Sequence, residues 1–220
     1  MSISLAKGQK ISLKKEDGGV LTNVMVGLGW SVTASNAASY DLDATVFMQH
    51  TGKVPSIPNK PPVEKKGFLN KIFSKKPASY QEKSINQSKL VATVDYSRLN
   101  SWDNSIHHCG DNLTGGSGVT DDEQVNISLS KVSSNIDRLV VGVNIYNPGT
   151  KHFGNVSKAY VRVVDKSTGK EIARYNLAND FINKKAIIVG ALERTSDGWE
   201  FLAIGKGSTA RDIRTLGKEA

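Results

Sequence analysis

Val156–Leu177 reads VSKAYVRVVDKSTGKEIARYNL. Its first nine residues are rich in valine and carry Tyr160, the composition of a strand. Asp165–Lys170 (DKSTGK) supplies the polar residues and the glycine of a hairpin turn, and Glu171–Leu177 returns as a second strand. The same grammar repeats on either side. Downstream, Ala186–Arg194 and Trp199–Ile204 flank Ser196-Asp197-Gly198 as a last hairpin. Upstream, Arg138–Tyr146 (RLVVGVNIY) is dense enough in apolar residues to be a central strand, and Asn147-Pro148-Gly149 ends it.

Farther out, Val125–Leu129 alternates, Leu90–Asp95 (LVATVD) is β-branched, and Ala37–Gln49 contains the strand YDLDATVF. Val20–Trp30 places Val24, Val26 and Leu28 on one face. Gly27 and Gly29 lie on the other, where a second sheet or a backbone could approach closely. Ser2–Leu13 alternates as a half-buried strand. About ten short strands with turns between them, and no long helical period, predict an all-β fold. The expected architecture is a two-sheet β-sandwich with one or two short helical turns, one of them at Ala178–Asn183. The expected domain runs over 1–205, is interrupted by an insertion at 52–89, and is followed by a polar tail at 206–220.

The formal charge of +8 is local. Residues 53–89 hold nine lysines against Glu64 and Glu82, which leaves the rest of the chain at +1. A uniformly basic nucleic-acid-binding domain is therefore not expected, and no specific nucleic acid is assigned as a partner. Pro55, Pro58, Pro61 and Pro62 favour an extended linker. Wound as a helix, Phe68, Leu69, Ile72 and Phe73 form one stripe, with Lys65, Lys66, Lys71, Lys75 and Lys76 around the opposite side. That is the composition of a weak membrane-surface contact. No apolar run approaches the roughly 20 residues of a spanning helix. The start MSISLAKGQKISL has no secretory pattern, and Cys109 is the single cysteine. The expected location is cytoplasmic, with peripheral contact at the inner membrane surface through residues 65–76.

The chemistry concentrates in Cys109–Glu123, CGDNLTGGSGVTDDE, which has Asp111 and Asn112 at one end and Asp121, Asp122 and Glu123 at the other. Crowded carboxylates repel one another unless a cation neutralises them, and glycines let backbone carbonyls turn inward. Calcium takes six to eight such oxygens. This is not an EF-hand: counted from Asp111, positions 3 and 5 are Leu113 and Gly115, and the flanks are strands. A solvated acidic hairpin loop is the plain alternative. Asp41 and Asp43 project from one face of an apolar strand, which is costly unless they are wet or paired with a cation, so they are expected to form the second half of the site. His107 and Cys109 share a strand face but lack a second pair at zinc-like spacing. No G-x-S-x-G, P-loop or H-E-x-x-H motif occurs.

Ser4-Leu5-Ala6-Lys7-Gly8, Val26-Gly27-Leu28-Gly29-Trp30, Tyr40-Asp41-Leu42-Asp43-Ala44, Gly110-Asp111-Asn112-Leu113-Thr114-Gly115, Asp121-Asp122-Glu123 and Phe153-Gly154-Asn155-Val156 occur in this order. Together with Ala159–Val163 and Glu171–Tyr175, they resemble the TerD family of tellurium-resistance proteins over roughly 1–50 and 90–205. The resemblance implies a β-sandwich that binds calcium through acidic loops, and a bacterial stress-response role that includes tellurite resistance and protein partners. The expected function is non-enzymatic calcium binding through Asp41, Asp43, Asp111, Asn112, Asp121, Asp122 and Glu123, which orders a surface for partners. Two rivals stand beside it: a metal-dependent phosphoester hydrolase that uses the same carboxylates, and a membrane-surface scaffold that docks through 65–76.

Overall fold

The computed structural model describes residues 3–15, 17–32, 40–52, 89–116, 120–177 and 181–220. Among these, twelve strands form two six-stranded sheets. In chain order they are β1 (Ile3–Ser4), β2 (Lys10–Ser12), β3 (Asn23–Val32), β4 (Leu42–His50), β5 (Lys89–Val94), β6 (Ile106–His108), β7 (Glu123–Ser128), β8 (Arg138–Ile145), β9 (Val156–Asp165), β10 (Glu171–Asn176), β11 (Ala186–Thr195) and β12 (Gly198–Ser208). The first sheet runs β1-β10-β9-β3-β7-β6 and the second β2-β12-β11-β8-β4-β5. Every neighbouring pair is antiparallel except β1 on β10.

Alternation places the core between the sheets. Val24, Val26, Leu28 and Trp30 of β3 face Leu42, Ala44, Val46 and Met48 of β4, joined by Val141, Val143 and Ile145 of β8. The predicted β-sandwich is the observed fold. The strand count exceeds the expected ten for two reasons. β6 pairs with β7, and Ser2–Leu13 is not one strand. That segment breaks at a turn closed by Gln9 N–H to the Ala6 carbonyl at 3.0 Å. β1 therefore joins the first sheet and β2 the second, with Leu5 and Leu13 buried while Ile3 is 48% exposed. One alternating segment thus covers an edge strand of each sheet.

The glycines of β3 do not admit a second backbone. A side chain at Gly27 would collide with the Asp121 carboxylate, and one at Gly29 with the Tyr160 ring. Side chains of the same layer use the space.

The second sheet carries a smaller cluster on its outer face, where Phe47, Val140, Ala186, Ile188 and Ala191 meet Ala210 and Leu216. β12 continues through Lys206 to Ser208, and a short helix α1 (Ile213–Gly217) follows. Asp212 caps this helix by accepting from Thr215 N–H at 2.8 Å. Leu216 is fully buried. The segment expected to be a polar tail is therefore docked structure. Ala210 before the helix and Leu216 within it join the cluster, with the partly buried Ile213 packed against it.

The ends of the insertion are paired: His50 of β4 stands opposite Lys89 of β5. The expectations for Lys65–Lys76 and for the start of the Ala178–Asn183 turn lie outside the described residues. No helix among the described residues is long and apolar enough to cross a membrane.

Candidate metal centre

The acidic site forms where β4 begins beside the loop that links β6 to β7. On β4, Leu42, Ala44 and Val46 fill the core, so Asp43 lies on the outer face of the second sheet, in register with Asn144 of β8. Asp41 precedes the strand by one residue, and its carbonyl accepts from Tyr146 N–H at 2.9 Å. Asp111 comes from the loop. One carboxylate oxygen from each of Asp41, Asp43 and Asp111 falls within 4.8 Å of the other two. Side chains some 70 residues apart in sequence therefore meet in space.

The electrostatics are those of like charges held together. Burial pushes the Asp43 carboxyl up to about 8, with Asp41 and Glu123 adding repulsion. The Asn144 amide opposes this, donating to Asp43 Oδ2 at 2.9 Å. Asp41 is pushed up to about 6, first by burial and then by Asp111 and Glu123, against Lys151. Its Oδ1 is buried and has no hydrogen-bond partner among the described residues.

The loop is shaped by its own side chains. Asn112 Oδ1 accepts from the N–H groups of Thr114 and Gly115, both at 3.2 Å. Gly115 has φ +63° and lies against the Trp30 indole, where any side chain would collide. Glycine is required there on both counts.

The other predicted ligands sit around this cluster rather than in it. Glu123 points inward from β7, and its carboxylate accepts from Ala44 N–H at 2.7 Å and from Asn112 N–H at 3.3 Å. It ties β4 to the loop behind the three aspartates. Asp122 accepts from Trp30 N–H at 2.9 Å, which anchors the loop to β3, and burial raises its carboxyl. Asp121 is placed on the outer face of the first sheet. Its fully buried carboxylate takes both Arg162 Nε (2.7 Å) and Nη2 (2.8 Å), and the Tyr160 hydroxyl at 3.2 Å. A carboxylate gripped bidentately by arginine is already neutralised. Strand alternation is the physical reason for the split, because consecutive acids cannot all face one point.

Sequence reasoning passed over two residues. His108 is fully buried, with Nε2 3.6 Å from Glu123 Oε2. Placing His107 and Cys109 on one strand face left His108 on the other with Ile106. In the structure Cys109 is exposed and His107 contacts Asn100 at 2.8 Å. The second residue is Asn144, a polar side chain that follows Val140 and Gly142 on a face of β8 that begins with Arg138. That interruption was the available signal.

The fold and site define an antiparallel β-sandwich with a carboxylate cluster at the end of its second sheet. A family model described as the TerD domain matches residues 1–59 and 81–219, and the chain belongs to the TerD family. It is 37% identical to general stress protein 16U of Bacillus subtilis over 210 residues, covering 94% of this chain and 91% of that protein. It is 34% identical to the tellurium resistance protein TerD of Serratia marcescens, again over 94% and 91%. A crystal structure of a TerD homologue from Streptomyces coelicolor superposes with a TM-score of 0.63 at 21% identity, covering 90% of this chain and 96% of that one, which confirms the fold. The unmatched stretch, 60–80, falls within the insertion.

Proposed function

We propose that the protein is a non-enzymatic calcium-binding member of the bacterial stress-response group to which its named relatives belong. The observation that carries this reading is the convergence of Asp41, Asp43 and Asp111 within 4.8 Å of one another, with a buried Asp41 oxygen that has no donor among the described residues. The donor set is all oxygen, which suits a hard cation and not zinc. Asp41, Asp43 and Asp111 would hold the ion. When bound, calcium supplies the charge that lets all three carboxyls ionise. The protein's own share is geometric. Glu123 and Asn112 hold the loop against β4, Asp122 ties it to β3, and Gly115 lets it lie flat on Trp30. Joining β4 to the loop in this way gives an ordered surface for a protein partner. The burial of His108 behind Glu123 supports binding over hydrolysis, since it holds the imidazole away from solvent.

Calorimetric titration tests the assignment. Calcium should bind saturably to the native chain and to Asp121→Asn, and more weakly or not at all to Asp43→Asn and Asp111→Asn. Equal binding by all four proteins contradicts it.

A further inference from the structure

We propose that a groove on the outer face of the second sheet binds an organic phosphate of mononucleotide class. The groove lies between α1, the end of β5 with its turn, and the end of β8, and its volume is about 600 Å3. That is within the range of small-molecule sites, roughly 300–1,000 Å3. Phe47 lies at its floor, and α1 is held as a wall by Leu216 packed on Phe47 and Val140.

Three features define the ligand. The first is charge. Arg98, Arg211 and Arg214 line the groove, and none makes an ion pair or side-chain hydrogen bond among the described residues. The two carboxylates in the groove are engaged locally. Asp95 accepts from Ser97 N–H and Oγ and from Arg98 N–H, and Asp212 accepts from Thr215. Three arginines lining one concave surface, with Arg214 also acting on Asp212, match the charge of a phosphate.

The second feature is an orphaned acceptor. Asn144 lines the groove and is 3% exposed. Its Nδ2 is spent on Asp43, and its buried Oδ1 has no partner among the described residues. A buried carbonyl oxygen without a donor is unfavourable, so the site calls for a ligand N–H or O–H at that depth. A ligand whose phosphate rests on the exposed arginines must extend a separate N–H or O–H to reach it. The third feature is an aromatic wall. Tyr146 is 44% exposed and is braced edge-on by Tyr96, with ring centroids 5.7 Å apart at 85°. It offers a fixed face to a flat ring. Phosphate, ring and ring-borne donor together describe a nucleoside monophosphate.

The proposal does not rest on the calcium reading, although the hydrogen bond from Asn144 to Asp43 places the two sites side by side. The test uses the full chain titrated with AMP, ribose 5-phosphate and inorganic phosphate, followed by amide spectra and calorimetry. AMP should bind saturably and tighter than the other two, shifting residues 95–98, 144–147 and 211–215. Arg211→Gln with Arg214→Gln should weaken AMP by at least about tenfold while calcium binding stays unchanged. Absence of saturation by AMP at millimolar concentration overturns the proposal. So does equal affinity for inorganic phosphate, or an unaltered AMP affinity in the double variant.

Discussion

Calcium binding at this site should release protons, and the structure sets how many. With its carboxyl near 8, Asp43 is about nine-tenths protonated at pH 7. With its carboxyl near 6, Asp41 is about one-tenth protonated at that pH. A bound divalent ion requires both to be ionised, so binding should expel about one proton per ion at pH 7. The number should rise to about one and a half at pH 6, where Asp41 is half protonated, and fall to about one-tenth at pH 9. Apparent affinity should correspondingly gain about sixfold between pH 7 and pH 8. The assay is calorimetry in buffers of different ionisation enthalpy, where the slope of observed heat against buffer enthalpy counts the protons. A slope near zero at pH 7, with binding intact, would refute the reasoning, because the ion would then be held by groups that were already charged.

The calcium-free protein should show the opposite trend in stability. Asp43 and Asp41 bind protons more tightly folded than unfolded, so stability is greatest near pH 4 and falls as pH rises through about 6 and then about 8; melting curves in chelator should show this, and Asp43→Asn should flatten the upper part of the fall. Arg162→Ala leaves the buried Asp121 carboxylate without its cation and should lower unfolding free energy by about 3 kcal/mol in urea titrations, with recovery when Asp121→Asn is added. Leu216→Ala opens a cavity over Phe47 and should cost about 3 kcal/mol by the same measurement, whereas a detached tail would give no change. Gly115→Ala forces a strained φ and a collision with Trp30, so it should weaken calcium binding in calorimetry with a smaller effect on global stability.

Much of the fold was legible because strand alternation has a period of two, and a single buried face leaves it visible. Val24, Val26 and Leu28 declared their face, and the turns at Asp165–Lys170 and Ser196–Gly198 declared the hairpins. Most of what escaped depended on a partner remote in sequence. Ser2–Leu13 has the alternation of one strand, yet each half finds a different sheet. The terminal residues 206–220 are polar on average, but Ala210 and Leu216, with Ile213 beside them, were enough to dock them on the cluster around Phe47. In the site, the pairing of Asp41 and Asp43 with Asp111 could be argued from the expense of burying charge. The separate fate of Asp121 could not. It depends on Arg162, which lies 41 residues onward and reaches Asp121 across the side-chain gap left by Gly27.

A crystal grown with millimolar calcium and measured for anomalous scattering tests the central claim most directly. The account predicts an ion within about 2.3–2.6 Å of oxygens from Asp41, Asp43 and Asp111, with Asp121 still held by Arg162. An ion centred on Asp121, or no anomalous peak beside Asp43, would contradict it.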